Sequence, residues 1–535
     1  MKEIRAIDPR TLSREQKIGM VLCANLNHGW EDVLHAAEMV KNHSLGAIWI
    51  QPQSKYREEA IRLIRETADY PILIMTDAER GIEPYLIPDV LAIAAAGGAR
   101  EDYARSFGRI TATVLSGMGY NAVGNPLLDT GEEQRLPCGG NTRTFGSDIN
   151  KVIRMGRAVA QGIHEAGLLT VAKHYPGVGG EKPYDSHMRE GCSVLTEEEV
   201  RSRLIAYATL AKEGLIDGVM AGHHKFPAID EHPASLSRKI LSILRDLGFD
   251  GFYITDALNM MGVVLKYGVN PPNGLCIGAG NSLALSWGVP SKQAYAALKE
   301  GYEQGLYTDE DLDSSVAHVL AAQEKTLKYR DIHPKILPED EKNVAALNTE
   351  CIEARCAEGL TPAIDANARH LFVIMTDGKV SLDTGDEYTP GPRDWYFPQK
   401  IADRVRELFP NSDVYPLPQF PSPCDNMVLL DRQVKYDDLV FITFYQSAAY
   451  SGRECLTSRV MELMDALQTT DRIVAHLHFG NPYVATDAPY VKRILLGLSS
   501  YPCIMGALDI LHGDAPACGK MPFNLPFHKK GDDLF

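Results

Sequence analysis

A parallel (β/α)₈ barrel followed by a smaller α/β domain is the fold class this 535-residue chain predicts. Three observations carry it. Short β-branched runs alternate with amphipathic stretches through roughly the first 330 residues. Eight such runs can be counted, the number that closes a barrel. Polar residues collect just past their ends, where a barrel places its chemistry. An open doubly wound sheet is the alternative that the same pattern allows.

The runs are Ile18 to Ala24, Leu45 to Ile50, Pro71 to Met75, Asn121 to Leu128, Leu168 to Ala172, Gly218 to Gly222, Gly251 to Thr255 and Leu283 to Trp287. Between most of them, apolar residues recur at helical spacing: Glu31 to Lys41, Arg57 to Ala68, Ile149 to Glu165, Glu197 to Lys212 and Lys239 to Leu247. Thr196 and Glu199 read as a capping box that opens its helix. Thr308 to Lys325 is a further amphipathic helix. Lys328 to Glu341, with Pro334, Pro338 and many charges, reads as a linker. The expected division is therefore a barrel over 1–330, a linker over 331–345 and an α/β domain over 346–535. The second domain's strands are expected at Leu371 to Met375, Asp413 to Tyr415, Leu439 to Phe444, Arg472 to Phe479 and Arg493 to Leu498. Its helices are expected at Gln399 to Leu408, Ser458 to Leu467 and Cys503 to Leu511. It holds no dinucleotide fingerprint, phosphate loop or nucleophile elbow.

Composition narrows the function classes. A net charge of -16 argues against nucleic acid or anionic membrane as the main partner. No apolar run approaches the roughly 20 residues that span a bilayer. The polar start, MKEIRAIDPRTLSREQK, carries no apolar core of a signal peptide. The ten cysteines are scattered and none forms CxxC, which disfavours a zinc site. Cys351 and Cys356, on a predicted helix, read as packing residues. A cytoplasmic protein is expected.

The candidate chemistry concentrates in Leu168 to His187, LLTVAKHYPGVGGEKPYDSH. The apolar run stops at Lys173-His174. A Pro/Gly-rich loop follows and ends in Asp185-Ser186-His187. A strand tip that delivers a cation and an imidazole suits an enzyme site, and an Asp beside a His tunes its basicity. Plainer roles fit as well: a buried ion pair at a strand end, and a loop turn with an exposed His. Asp256, after Gly251 to Thr255, fits a nucleophile or general base at a strand tip, and equally an N-cap for the next helix. Other strand tips carry Asp77-Ala-Glu-Arg80, Asn125-Pro-Leu-Leu-Asp129 and His223-His224-Lys225. Arg143-Thr-Phe-Gly-Ser-Asp148 fits a turn leading to a helix start. Adjacent strand residues face opposite ways, so one of His223 and His224 is expected to be structural.

Together these segments resemble the family-3 glycoside hydrolases, in particular their β-N-acetylglucosaminidase branch, over nearly the whole chain. Lys173-His-Tyr-Pro-Gly-Val-Gly179 followed by Asp185-Ser-His187 is similar to that branch's long KH(F/I)PG-x-G…D(S/T)H signature. Ile254-Thr-Asp-Ala-Leu-Asn-Met260 resembles its nucleophile segment. Asn125 to Asp129 with Arg143-Thr-Phe-Gly146, and Val219-Met-Ala-Gly-His223, resemble the regions of strands four and six. The strand-three motif differs, with Ile82 and Tyr85 where the family carries arginines.

The resemblance implies a retaining, exo-acting enzyme that removes terminal β-linked N-acetylhexosamine from small glycans or glycoconjugate fragments. It implies Asp256 as the nucleophile and His187 as the acid/base, with Asp185 as partner of the imidazole. Asp77, Arg143, Lys173 and His174 would grip hydroxyls of the sugar. No metal or organic cofactor is implied. The expected partner is a carbohydrate, with neither nucleic acid nor membrane, and the chain is expected to be a monomer or homodimer. A β-N-acetylglucosaminide phosphorylase on the same fold and a non-catalytic sugar-binding relative are the alternatives.

Overall fold

In a computed structural model, described over residues 4–27, 29–98, 100–131, 140–177, 185–376, 397–445, 447, 449 and 454–527, the chain forms two compact units. The first is Met1–Leu86, Glu101–Glu132 and Arg143–Val344. The second is Ile87–Arg100, Glu133–Thr142 and Ala345–Phe535. Cys138 lies outside the described residues. No described helix is long and apolar enough to cross a membrane.

The first unit is the expected barrel. Its strands are β1 (Leu22–Asn25), β2 (Ala47–Trp49), β3 (Leu73–Thr76), β4 (Ala122–Val123), β5 (Leu169–Tyr175), β6 (Gly218–Ala221), β7 (Phe252–Thr255) and β8 (Ala284–Leu285). They pair in parallel in the order β8-β1-β2-β3-β4-β5-β6-β7, and a bridge between Ile254 and Leu283 joins β7 to β8. The open-sheet alternative does not hold. Residues two apart on a strand share a face, so Cys23, Trp49, Met75, Val171, Met220, Ile254 and Leu285 fill the interior with apolar side chains.

Several elements differ from expectation for local reasons. Ile18 to Met20 are helical, not the start of β1. Ser13 and Gln16 form a capping box that opens the helix Arg14–Met20. β4 is only two residues long, and its pairing with β5 resumes past Pro126 as a bridge between Leu127 and Lys173. The helix Glu101–Gly117 is an element the sequence reading did not name. Glu197 to Lys212 is two helices, Glu197–Arg203 and Ile205–Lys212, the first opened by the expected Thr196/Glu199 box. Where a linker was expected, Pro338–Glu350 is helical. Its Asp340 is fully buried against the Arg109 guanidinium at 2.6 Å.

The second unit is built on a six-stranded sheet of β9 (Glu353–Cys356), β10 (His370–Thr376), β11 (Asp413–Pro418), β12 (Asp438–Tyr445), β13 (Ile473–Gly480) and β14 (Arg493–Gly497). The order is β9-β14-β13-β12-β10-β11, parallel except for β9 at one edge. The five parallel strands match the expected ones within two or three residues. Cys356 lies on β9, not on a helix.

The barrel's end opposite the strand tips is tied by a buried carboxylate. Asp217, just before β6, accepts from the Thr170 N–H at 2.8 Å, lies 2.8 Å from His164 Nε2 and pairs with Lys325. Burial alone would raise the Asp217 carboxyl, but His164 and Lys325 outweigh it and hold it below its ordinary value. We expect Asp217→Ala to cost about 3 kcal/mol at neutral pH, because it strands buried donors. A carboxylate with a depressed folded pKa stabilises above its unfolded pKa and loses that contribution as pH falls through the folded one. The gap between wild type and variant in urea midpoint should therefore narrow below about pH 4. A gap independent of pH would assign the loss to packing.

Candidate active site

β5 delivers the cation at the centre of the site. Its alternation turns Leu169, Val171 and Lys173 into the barrel, and Lys173 is 1% exposed. An ammonium is not tolerated there unpaired. It pairs with Asp77, at the tip of β3, and with Glu79 Oε1 at 2.8 Å. Burial pulls the Lys173 pKa down, but the two carboxylates outweigh it and hold the group charged. Glu79 in turn meets Arg143 in a two-pronged pair, Nε to Oε2 at 2.8 Å and Nη2 to Oε1 at 2.7 Å. Burial would raise the Glu79 carboxyl, yet Arg143 and Lys173 hold it well below its ordinary range. The close packing needs Gly124 on β4's extension. A Cβ there would stand 2.6 Å from Asp77 Oδ1 and 3.4 Å from Lys173 Nζ.

His174 is oriented from behind. Its Nδ1 lies 2.7 Å from Asp129 Oδ2, and its N–H donates to Asp129 Oδ1 at 3.1 Å. Asp129 is buried. With Nδ1–H donated to the carboxylate, Nε2 faces the pocket and lies 3.3 Å from Arg143 Nη2. The Lys173-His174 peptide is cis.

The second Asp-His pair is the one the sequence singled out. Asp185 Oδ1 accepts the His187 N–H at 2.9 Å and lies 2.8 Å from His187 Nδ1. Asp185 is buried, while the His187 side chain is 23% exposed. The carboxylate thus holds Nδ1–H. Val178, Gly179 and the rest of the loop to residue 184 lie outside the described residues.

Asp256 follows β7 directly. Its N–H donates to Ala221 O at 2.8 Å, and its Oδ1 accepts the Ala257 N–H at 2.7 Å. It is not a helix cap: the next helix is Met261–Tyr267, with Met260 at the cap position. Burial would raise its carboxyl, but the imidazoles of His174, His223 and His187 and the Ala257 N–H bring it down to about 2. It is ionised at any working pH.

One pocket is lined by Asp77, Arg143, Lys173, His174, His187 and Asp256, six of the seven residues predicted from sequence. Asp185 stands behind His187. Glu79 also lines it and was not among the predicted residues, although the Asp77-Ala-Glu-Arg80 run marked the position. His223 and His224 lie past the end of β6, and both line the pocket. His223 is structurally engaged, Nδ1 with Ser235 Oγ at 2.7 Å and Nε2 with Ala257 O at 2.9 Å. Burial lowers its pKa. Asp148 caps the helix Ile149–Glu165 through the Asn150 N–H.

Known proteins resemble this chain over nearly its whole length. A β-N-acetylglucosaminidase/β-glucosidase of Cellulomonas fimi is 24% identical over 569 aligned positions, covering 96% of this chain and 93% of that protein. A family-3 β-N-acetylglucosaminidase from Paenibacillus sp. str. FPU-7 superposes with a TM-score of 0.77 at 21% identity, covering 97% of this chain and all of that one. A β-glucoside phosphorylase superposes at 0.79 with 22% identity, covering 96% and 94%. At these identities the structural likenesses speak for the fold. The model of the glycosyl hydrolase family 3 N-terminal domain matches residues 15–322, more than half of the chain and all eight barrel strands; the chain belongs to glycosyl hydrolase family 3.

Proposed function

We propose that this protein is a retaining, exo-acting β-N-acetylglucosaminidase. The observation that carries the reading is an imidazole pinned by a buried carboxylate, His187 on Asp185, in the same pocket as an ionised Asp256. The name of the C. fimi relative, a β-N-acetylglucosaminidase/β-glucosidase, supports the substrate class.

In the first step Asp256 attacks the anomeric carbon and the bond to the leaving oxygen breaks. His187 gives its Nε2 proton to that oxygen and becomes neutral. In the second step the neutral Nε2 takes a proton from water, the water oxygen bonds to the anomeric carbon, and Asp256 leaves as carboxylate. Asp185 does for His187 what a buried Asp does in a serine-protease triad: it fixes the tautomer and stabilises imidazolium. The Asp77, Glu79, Arg143, Lys173 and His174 cluster offers fixed donors and acceptors to the hydroxyls of one terminal sugar. This supports exo action.

A second reading has its own observation. Imidazoles, not a second free carboxylate, flank Asp256 in the pocket. An anionic acceptor meets less repulsion there, so phosphate could replace water and yield the sugar 1-phosphate. The fold is shared with a β-glucoside phosphorylase.

Release of nitrophenol from the β-N-acetylglucosaminide, with and without phosphate, decides between them. We expect phosphate-independent turnover that Asp256→Ala abolishes and that His187→Ala slows by about 10²–10⁴-fold. Strong phosphate stimulation with sugar 1-phosphate as product would move the assignment to phosphorolysis. Sugar binding without turnover on this or the matching glucoside would leave only a binding protein.

The pH profile tests the two roles separately. The Asp256 carboxyl sits at about 2, so its protonation should produce no acid limb in kcat/KM between about pH 4 and 6. Loss of the His187 proton should produce the alkaline limb, and His187→Gln should remove it. An acid limb above pH 4 that disappears in an Asp256 variant would show that the nucleophile is not held ionised.

A further inference from the structure

The nucleophile segment and the acid/base loop touch at one buried glycine. Five residues after Asp256 the chain enters the helix Met261–Tyr267, whose cap residue Met260 offers no side-chain hydrogen bond. The first N–H groups of a helix need acceptors. Here the loop supplies two: Met261 N–H donates to His187 O at 3.2 Å and Gly262 N–H donates to Ser186 O at 3.1 Å. The loop closes over this contact as a single turn, with the Met188 and Arg189 N–H groups donating to Asp185 O at 2.9 and 3.1 Å. On its far side Lys225 holds it, donating to Gly191 O at 2.9 Å and accepting from Ser193 N–H at 2.8 Å.

Gly262 is required by space alone. Its φ is not positive, so no backbone conformation demands glycine. A Cβ there would stand 2.8 Å from Ser186 O and 3.0 Å from Arg189 O. Both atoms are backbone, on either side of His187, so the loop must move as a body to make room. The nucleophile side cannot yield as easily. Asp256 N–H is tied to Ala221 O at 2.8 Å, Leu258 N–H to Leu285 O at 3.3 Å, and Met260 N–H to Ala257 O at 3.1 Å.

We infer that Gly262 is a positioning residue: the absence of a side chain there, with the two N–H donors of Met261 and Gly262, sets the placement of His187 relative to Asp256. This rests on the roles proposed above for those two residues. A misplaced acid harms substrates in proportion to how much protonation their leaving group needs. A displacement well under 1 Å at a reacting group is already costly, and 1 Å can cost about 100-fold.

The test compares phenyl and dinitrophenyl β-N-acetylglucosaminides, the first needing a proton and the second not, in wild type, His187→Gln, Gly262→Ala and Met261→Pro. Proline is tolerated at a first helical position; it removes the Met261 N–H and turns its Cδ toward His187 O, so it too displaces the loop. We expect Gly262→Ala to lower kcat/KM for the phenyl glycoside by about 100-fold and for the dinitrophenyl glycoside by less than about tenfold. Met261→Pro, which displaces the same loop, should likewise lose far more on the phenyl than on the dinitrophenyl glycoside. Both should follow the pattern of His187→Gln. If Gly262→Ala does not fold, Met261→Pro carries the test. Equal losses on both glycosides, or none, in the folded variants while His187→Gln keeps its split would overturn the positioning role. Equal losses in His187→Gln itself would instead overturn the acid/base assignment, and the inference with it.

Discussion

The site is built around one costly placement, an ammonium inside a barrel. Lys173 is inward-facing and almost fully buried, and a charge there costs several kcal/mol unless it is matched. Asp77 and Glu79 match it, but two carboxylates around one cation leave a surplus negative charge. Arg143 removes the surplus by clasping Glu79 with two hydrogen bonds. The result is a neutral quartet drawn from the tip of β3, the tip of β5 and the segment before the helix Ile149–Glu165. Each member fixes the others, so the pocket's donors and acceptors are placed before any ligand arrives. Preorganisation of this kind is where binding and rate are gained, because no reorganisation is needed during reaction. Gly124 shows how tightly the quartet is seated.

His174 extends the same network toward the reacting centre. It touches Arg143 on one side and Asp129 on the other, and it contributes to holding Asp256 ionised. The charge of the quartet, the orientation of His174 and the low pKa of Asp256 are therefore linked. A substitution in the quartet should be felt first as sugar affinity and second as nucleophile ionisation, since the path between them runs through one imidazole.

Residues whose candidacy follows from their neighbours in sequence were visible in advance. Lys173-His174, Asp185-Ser-His187 and Asp256 each carry a type and spacing that read as chemistry, and the structure gathers them in and behind one pocket. The barrel was legible because eight apolar runs, most of them followed by an amphipathic stretch, are written in the sequence, although the helix Glu101–Gly117 was not. Glu79 and Asp129 were visible as residues but not as partners. Their roles come from contacts 64 and 45 positions away, Arg143 for one and His174 for the other, and no local pattern encodes those pairings. The same holds for Gly262, whose importance lies in Ser186 and Arg189 lying against it. The misplaced start of β1 has a local cause. Ile18 to Met20 are apolar enough for a strand, and the Ser13/Gln16 box that makes them helical sits just upstream.

An imidazole in place of a second carboxylic acid changes the charge that the proposed reaction carries. With two carboxyl groups the reacting pair begins as one anion and one neutral acid and ends its first step the same way with the roles exchanged, so one negative charge remains beside the anomeric carbon throughout. With Asp256 and protonated His187 the pair begins as anion and cation and ends the first step as an ester and a neutral ring. Charge is annihilated, not moved. Buried Asp185 on the far side of the ring keeps the imidazolium populated before transfer and fixes the neutral tautomer after it. The second step then meets a glycosyl-enzyme in which a neutral imidazole stands where a second carboxylate would otherwise act as base. The dyad geometry thus suits water, and for the same reason it leaves the route open to an acceptor that is itself negatively charged.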